Sequence, residues 1–196
     1  MNGALTELAP FPGEQRVSGL MKHVGDYIYL GFGLDNAYNA FSDLWRYSIS
    51  NNNWEMVLNF PGITSYQNAI TDPLVFSFND NRLFFGSGQS ELNLNDFWEI
   101  DLVANALISK SPTPMSLSKK KGTTIENKGY LESYYLYEYD LDTDTWTTHQ
   151  NINGIGFMYT DSRESIFTNN GNIFRSVTTS SPYYNLLFKM NMSYLE

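Results

Sequence analysis

Residues 43–54 read DLWRYSISNNNW: an alternating segment, a polar turn and a tryptophan. Apolar residues occupy every second position from Trp45 to Ile49, which is the period of a half-buried β-strand and not of a helix. Related segments lie at 96–107, at 135–146 and, in a shorter form, at 186–192. In the first three copies an apolar residue stands seven positions beyond a marker residue of the strand; the pairs are Tyr47 with Trp54, Ile100 with Leu107, and Tyr139 with Trp146. The chain is therefore built from β-structured repeats.

A second strand, ending in small residues, precedes two of these units. Residues 26–33 read DYIYLGFG and residues 81–88 read NRLFFGSG. Glycine at such positions lets two backbones approach each other, or lets a strand bulge, where a side chain would not fit. The marker positions 47, 100, 139 and 190 are separated by 53, 39 and 51 residues. A repeat of about 50 residues with four short strands has the size of one propeller blade.

These motifs resemble the Kelch repeat, in which a strand ending in small residues is followed by a variable loop, an aromatic-rich strand, a short turn and a tryptophan. The match is best in the first unit and weakens toward the fourth, which keeps only Asn172-Ile173-Phe174 and the strand at 186–192. The resemblance extends to bacterial Kelch proteins and galactose-oxidase-like propellers. It implies an all-β fold: one Kelch-type propeller domain over 1–196, with about four four-stranded blades arranged around an axis. We expect the blade units at approximately 14–62, 63–114, 115–156 and 157–196.

The two ends of the chain bear on how such a ring closes. Residues 5–13 align with residues 54–62, so the N-terminus has the pattern of an outermost strand. We expect residues 1–13 to be the closing outer strand of the fourth unit, because ring closure hides edge strands. Four blades are few for a Kelch ring. Three arrangements therefore stay open: a small closed ring, part of a larger ring, or half-rings paired in a homodimer.

The composition excludes several classes of function. The chain has 196 residues, a formal net charge of −9, 16% aromatic residues and no cysteine. Its acidity repels a phosphate backbone, so we expect no nucleic-acid partner. Nothing in it is long and apolar enough to span a bilayer, and it shows no signal-peptide pattern, so it is either cytoplasmic or a mature or truncated form of an exported protein. The lack of cysteine excludes thiolate metal sites, and the Tyr–Cys cross-link that a resemblance to galactose oxidase would imply.

The acidic turn at 140–144 is the segment that most resembles a metal site. Asp140, Asp142 and Asp144 alternate as in a calcium loop, but Thr145 and Asn151 stand where an EF-hand requires glycine and glutamate. A turn between two strands accounts for the pattern, because aspartate and threonine hydrogen-bond locally in turns. We predict no metal site here.

The other chemical motifs are equally incomplete. His23 and His149 have no neighbouring histidine or carboxylate at zinc-ligand spacing. Gly31-Phe32-Gly33 lacks the third glycine and the helix of a dinucleotide loop. Lys119–Lys121, the basic cluster between two units, is interpreted as an exposed loop. We therefore predict no cofactor and no catalytic residue.

The aromatic residues fall into two groups. Those at repeat positions are expected in the blade cores and between blades; they are Trp45, Tyr47, Trp54, Trp98 and Trp146. A second group lies in predicted loops or at strand ends: Tyr38, Phe41, Tyr66, Tyr159, Tyr183 and Tyr184. Exposed aromatic side chains favour protein contacts, and loops on a rigid scaffold commonly carry binding sites. Loops that fold back over the blades would account for the second group equally well.

From this pattern we predict a non-catalytic binding module that engages a protein or a glycan through loops on one face. The loops are 34–42, 63–73, 89–95 and 178–185, and the expected contact residues are Tyr38, Phe41, Tyr66, Tyr183 and Tyr184. One alternative is a sugar-modifying enzyme resembling the mutarotases of this fold, with Arg16, Arg82 and Arg163 in a central pocket holding a sugar-acid carboxylate. The other is a structural or assembly protein.

Overall fold

Strands that follow one another in the chain pair into antiparallel sheets in the computed structural model, which describes residues 5–62, 69–86, 95–117, 122–132, 135–149, 165–178 and 185–190. Blade 1 contains β1 (Leu20–Val24), β2 (Tyr27–Gly31), β3 (Asp43–Ser48) and β4 (Asn53–Asn59). Blade 2 contains β5 (Leu74–Phe78), β6 (Arg82–Gly86), β7 (Phe97–Asp101) and β8 (Ala106–Lys110). Blade 3 contains β9 (Gly122–Ile125), β10 (Lys128–Glu132), β11 (Leu136–Asp140) and β12 (Thr145–His149). Blade 4 contains β13 (Ser165–Asn169), β14 (Asn172–Thr178) and β15 (Asn185–Lys189).

Tight turns join the first strand of each blade to the second, and the third strand to the fourth where the fourth is described. Each of these turns places at least one residue in the left-handed backbone region; the residues are Gly25, Asn52, Asn79, Asn105, Glu126, Asp144, Asn170 and Gly171. Asparagine and aspartate tolerate this region better than most residues because their side chains can hydrogen-bond the local backbone. The polar turns that separate the alternating segments in the sequence are thus confirmed as hairpin turns.

The glycine at the end of the second strand is required by the close approach of the third strand. A Cβ added at Gly31 would lie 2.7 Å from the carbonyl oxygen of Asp43. At Gly86, the corresponding residue of blade 2, it would collide with the carbonyl oxygen of Asp96. The interpretation of these glycines as points of close backbone approach is confirmed.

The first strands of the blades lie side by side, in the order β1, β5, β9 and β13. β1 and β5 run in the same direction, because the chain positions before both strands are joined by a 2.6 Å hydrogen bond from the Asp72 N–H to the Ser18 carbonyl. At their other ends a Cβ on Gly25 would lie 3.2 Å from the Cβ of Asp80. Successive sheets are therefore arranged face to face around these inner strands, as in a β-propeller.

The hydrophobic core is divided into layers between successive blades. The layer between blades 1 and 2 contains Leu20, Tyr29, Phe32, Leu83, Phe85 and Ile100; that between blades 2 and 3 contains Phe76, Phe84, Phe97, Leu131, Tyr137 and Tyr139. Tyr130, Leu136, Ile166, Ile173 and Met190 form the layer between blades 3 and 4. Trp98 packs against the first layer and Trp146 against the second, as expected for tryptophans at repeat positions. Each of the first three blades is thus covered on one face by the next sheet.

The N-terminal segment packs against blade 1. The N–H of Ala9 donates to Asn52 Oδ1 (2.8 Å), and the Ala9 carbonyl accepts from the indole of Trp54 (3.0 Å). At the junction between blades 2 and 3, the N–H of Ser111, just after β8, donates to Asp144 Oδ1 (3.1 Å). The Ser111 carbonyl accepts from the indole of Trp146 (3.1 Å). The segment around Ala9 therefore makes the same contacts with blade 1 that the segment just after β8, the outermost strand of blade 2, makes with blade 3. This supports the alignment of residues 5–13 with residues 54–62.

The described residues form an all-β propeller with four blades, as expected for the fold class; three of the sheets have four strands, and the fourth has three described strands. Residues 5–12 form no strand in the described structure, and β13 does not pack against β1 as successive inner strands pack. The closing role of residues 1–13 and the boundaries of the blade units thus stay predictions. Within the described ranges, no helix is long and apolar enough to cross a membrane.

Candidate functional site

The two ends of the blades differ in the length of the connections that leave them. At the end where the third strands finish, the connections within the blades are hairpin turns of two to four residues; they are 25–26, 49–52, 79–81, 102–105, 126–127, 141–144 and 170–171. The opposite end, which we call the loop-bearing end, carries the connections 32–42, 60–73, 87–96, 111–121, 133–135, 150–164 and 179–184. The four loops predicted to bind a partner connect strands whose ends lie at the loop-bearing end; residues 63–68, 89–94 and 179–184 of these loops lie outside the described residues.

The loop between β2 and β3 is organised by one side chain, that of Asp35. Its Oδ1 accepts hydrogen bonds from the N–H groups of Ala37 and Asn39, both at 2.8 Å. Its Oδ2 accepts from the amide Nδ2 of Asn39 at 2.7 Å. The hydrogen bonds from Asn39 and Ala37 hold the pKa of Asp35 below its usual value. A carboxylate that accepts this many local donors fixes the loop in one conformation.

Tyr38 stands at the tip of this loop. Its backbone lies in the left-handed region (φ 64°), and 67% of its surface is exposed. A non-glycine residue in this region costs of order 1 kcal/mol, so the hydrogen bonds to Asp35 hold the tyrosine in a conformation that it would not favour alone. The result is an aromatic ring presented outward on an ordered loop.

Phe41, the second predicted contact residue of this loop, lies against Arg16 at the base of the loop. The Arg16 guanidinium carbon is 4.3 Å from the centroid of the Phe41 ring and 5.0 Å from that of Phe11. Phe41 is half-buried. Its ring therefore supports the loop through the arginine, while Tyr38 supplies the exposed aromatic surface.

Asp43, the first residue of β3, holds the base of the loop together. It accepts two hydrogen bonds from Arg16 (2.6 and 3.0 Å) and one from the indole of Trp45 (2.6 Å). Only 5% of the Arg16 side chain and 19% of the Asp43 side chain are exposed. Burial by itself would raise the pKa of Asp43, but the hydrogen bonds from Arg16 and Trp45 and the Arg16 charge outweigh it and lower the pKa.

Sequence reasoning selected Tyr38 and Phe41 but missed Asp35 and Asp43, which organise the loop and its base. Asp35 could have been recognised, because an aspartate at the start of a loop commonly accepts the backbone N–H two residues on in an Asx turn. The partnership of Arg16 with Asp43 joins residues 27 positions apart, and no local pattern predicts it. The remaining predicted aromatics lie outside the described residues: Tyr66, Tyr159, Tyr183 and Tyr184.

The arginine cluster expected of a sugar-acid enzyme is not formed by Arg16 and Arg82. Arg16 lies near the loop-bearing end, whereas Arg82 begins β6 just after a hairpin turn at the opposite end. Arg82 is paired with Glu99, with nitrogen–oxygen distances of 2.5 and 2.7 Å, as Arg16 is paired with Asp43. Both guanidinium groups are thus committed to carboxylates of the fold, and they do not share a pocket. Arg163 lies outside the described residues.

The carboxylates of the acidic turn point to separate partners. Asp140 Oδ1 accepts the N–H groups of Asp142 and Thr143, and Asp142 Oδ2 accepts from Asn127. Asp144 Oδ1 accepts the hydroxyl of Tyr139 at 2.7 Å, and this bond adds to burial in raising the pKa of Tyr139. These interactions are those of a structural turn at a blade junction. Among the described residues, no group of three or more histidine, aspartate or glutamate side chains could hold a metal ion.

The two histidines and the glycine pair also have structural surroundings. His149 Nε2 lies 3.2 Å from Glu138 Oε2, and Glu138 also pairs with Lys128. His23 is an exposed residue of β1. A Cβ on Gly33 (φ 82°) would collide with the carbonyl oxygen of Val17, so this glycine serves chain packing. Lys119–Lys121 lie outside the described residues.

No protein-family model matches the chain, and no curated protein matches it. Among the solved structures that resemble it is the structure of YjhT, a propeller, with a TM-score of 0.65 and 13% sequence identity. The match covers 87% of this chain and 61% of the YjhT chain. The chain therefore spans about three fifths of the length of YjhT. At this level of identity the likeness supports the propeller fold alone.

Proposed function

We propose that this propeller is of Kelch type and is a non-catalytic binding module that engages a protein or a glycan through its loop-bearing end. The observation that carries the proposal is the contrast between the two ends of the blades. One end is closed by minimal hairpin turns, whereas every long connection leaves the other. Because long connections on a rigid scaffold are the usual carriers of binding residues, the loop-bearing end is the favoured surface.

The loop between β2 and β3 supports the proposal in atomic detail. It presents Tyr38 with 67% of its surface exposed, and its backbone is fixed beforehand by Asp35. A rigid tyrosine costs little conformational entropy on binding and can pack on an apolar protein patch or stack on a sugar ring. Asn36 and Asn39 beside it are exposed and could supply polar contacts. This combination suits recognition by contact.

The Kelch assignment rests on the repeated sequence pattern and on the roles that its residues take. The glycine that ends β2 permits close approach of β3, and Trp54 and Trp146 donate to the backbone of the preceding segment. These are structural roles for the residues by which the repeat is defined. The sugar-modifying enzyme has no such support, since Arg16 and Arg82 lie at opposite ends of the blades.

The experiment is a screen of the purified chain on a glycan array and against candidate proteins, followed by affinity measurement on any ligand found. We expect Tyr38→Ala to weaken binding by about 1–3 kcal/mol, the usual range for an aromatic contact residue. The matched control is Val103→Ala, which removes an exposed apolar side chain (74%) from a hairpin turn at the opposite end. Unchanged affinity in Tyr38→Ala, or an equal loss in Val103→Ala, would contradict the proposed face.

A turnover assay on any sugar ligand separates a binding module from an enzyme. A binding module returns the sugar unchanged. Conversion of the sugar by the wild-type chain, lost in variants of the loop-bearing end, would overturn the non-catalytic assignment while leaving the location of the site intact.

A further inference from the structure

The inner strands β1, β5, β9 and β13 border the axis of the propeller, and their composition departs from that of the rest of the chain. The chain has 21 aspartate and glutamate residues and a net charge of −9. None of these acidic residues lies in the four inner strands, which carry one lysine, Lys22, and one histidine, His23. An anion at the axis is therefore not repelled by carboxylates of the strands nearest to it.

Lys22 is the central residue of β1 and lies in the layer between blades 1 and 2. Leu20 and Val24, its neighbours on the same face, are 1% and 3% exposed, and Tyr29, opposite it on β2, is 2% exposed. All three belong to the core of that layer. The stem of the half-buried lysine thus has apolar neighbours on both sides along β1 and outward on β2. The direction left for its ammonium group is toward the axis, where β1 has no further strand beside it.

Lys22 has no counter-ion among the described residues. Burial lowers the pKa of its ammonium group, and no carboxylate offsets this effect. The hydroxyl of Tyr29 is hydrogen-bonded to Arg46 instead. An unpaired cation in apolar surroundings is unfavourable, and a bound anion would stabilise it. The other described basic side chains of blades 1 to 3, and of the segment before them, each pair with a carboxylate; they are Arg16, Arg46, Arg82, Lys110 and Lys128.

Ser77 of β5 brings a second hydrogen-bond donor to the same level of the axis. β1 and β5 are in register, as the contacts at both of their ends show. Ser77 shares the face of β5 with Val75, which packs in the layer between blades 1 and 2, and Lys22 lies between the levels of these two residues. The carbonyl of Ser77 accepts from Thr124 Oγ1 at 3.2 Å, whereas its hydroxyl bonds to no residue of the described ranges.

The other two described junctions between inner strands are bridged at mid-strand by side-chain hydrogen bonds. Thr124 of β9 donates to the Ser77 carbonyl of β5, and Thr123 of β9 donates to the Thr168 hydroxyl of β13 at 3.0 Å. Among the described residues, no side chain bridges β1 and β5 in this way. An ammonium group and a hydroxyl group face that gap, and both donate hydrogen bonds.

We propose that Lys22 and Ser77 form a binding site for a small oxyanion, a carboxylate or a phosphate group, between β1 and β5 at the axis of the propeller. The ammonium group supplies the charge and one hydrogen bond, and the serine hydroxyl supplies a second. The bound oxyanion bridges blades 1 and 2 as the threonines bridge the blades that follow. This site is separate from the loop of Tyr38, and it does not depend on the function proposed for that loop.

The test is a titration of the full chain, carrying isotopically labelled lysine, with sodium phosphate and separately with sodium acetate. Sodium chloride keeps the ionic strength constant, and NMR follows the lysine side chains; the signal of Lys22 is identified by its absence in Lys22→Met. We expect a saturable shift of this signal and a raised pKa of its ammonium group in the bound state, because a nearby anion favours the charged form. A shift with only one of the two salts supports the proposal and identifies the group that the site accepts. A shift with neither salt overturns it.

Variants locate the anion, with affinity measured by calorimetry. Lys22→Met keeps an apolar stem and removes the charge, and it should weaken binding by at least about tenfold, the usual effect of losing a hydrogen bond to a charged group. Ser77→Ala should weaken binding by about threefold or more. The matched control is Lys189→Met, which removes the same charge from an exposed position of β15 and should leave the affinity unchanged. Retained affinity in Lys22→Met, or an equal loss in Lys189→Met, would overturn the proposal.

Thermal unfolding shows whether the variants are folded and gives a second measure of binding. Without phosphate or acetate, Lys22→Met should unfold at no lower a temperature than the wild type, because it removes an unpaired charge from an apolar layer. A lower midpoint would show that the ammonium group is already satisfied in the chain alone and would overturn the proposal. The anion that binds should raise the midpoint of the wild type and of Lys189→Met more than that of Lys22→Met. An equal rise in all three proteins would show a general salt effect and would also count against the site.

Discussion

Single residues fix the candidate binding loop through hydrogen bonds that the rest of the loop cannot replace. Asp35 holds the turn that carries Tyr38, and Asp43 holds Arg16 between two aromatic rings beneath it. Asp43 accepts three hydrogen bonds, two of them from a guanidinium that is almost fully buried. A carboxylate with these donors is stabilised as an anion, so its ionisation and the folding of the chain are linked.

Replacing Asp43 by Asn should destabilise the chain by about 2–4 kcal/mol at neutral pH, because the buried Arg16 cation loses its counter-ion. The folded-state pKa of Asp43 lies below the unfolded value. Its contribution is therefore fully present above the unfolded pKa and is lost as the pH falls through the folded one. Thermal unfolding of both proteins between pH 7 and pH 2 checks this, and we expect the two stability curves to converge at the acid end.

The exposed pair of Arg46 and Glu55 serves as control, and Glu55→Gln should cost under about 1 kcal/mol. A constant difference across the range would contradict the linkage.

At the scale of whole strands and sheets, the packing between blades depends on which side chains each inner strand directs toward the following blade. Phe76 of β5 reaches across to β9 and β10 of blade 3, where glycines receive it. The equivalent residue of β13, Phe167, has no such partner among the described residues. The same side chain at the same position of two blades thus has different surroundings, and its contribution to stability should differ accordingly.

Phe76→Ala should lower the free energy of unfolding by about 3–5 kcal/mol, because it opens a cavity in a closed layer. Phe167→Ala should lower it by less than about 1.5 kcal/mol, because the ring is already 43% exposed. Chemical denaturation of the two variants beside the wild type measures both values. Losses of similar size would show that Phe167 is as well buried in solution as Phe76.

Across the whole molecule, stability should be distributed unevenly because the blades differ in how many of their faces are covered. Blades 2 and 3 have a core layer on each face. The outer strands of blade 1 are covered on their rear face by the segment around Ala9 and Phe11, which contacts Trp45 and Trp54, whereas Met21 of β1 on the same face is 65% exposed. Among the residues that the structure describes, blade 4 has a core layer on one face. In a structure of repeated units, each unit depends on its immediate neighbours.

Native-state hydrogen exchange followed by mass spectrometry should therefore resolve the blades. We expect amides of β5–β12 to exchange most slowly and those of β13–β15 to exchange at least about tenfold faster, because local opening costs least where fewest apolar contacts are lost. β1–β4 should lie between them. Uniform protection of the four sheets would instead indicate a ring closed from blade 4 to blade 1.

Much of the fold could be predicted because its signals are local. The alternation around Trp45 predicts a strand, the asparagines after it predict the turn, and the glycine of β2 predicts close approach of its neighbour. Less of the candidate site could be predicted from the sequence. Tyr38 is found as a loop aromatic, but the support of Phe41 beneath Arg16 and the separation of Arg16 from Arg82 depend on residues far apart in the chain.

The sequence by itself determined the strands, their order within each sheet and the repetition of the sheets, because hydrophobic period, turn residues and glycine positions act over a few residues. Only the tertiary structure decided which face of each sheet meets which neighbour, and therefore which side chains are buried. That is a matter of fit between surfaces separated by tens of residues. It explains why a phenylalanine at the same position is enclosed in blade 2 and open to solvent in blade 4.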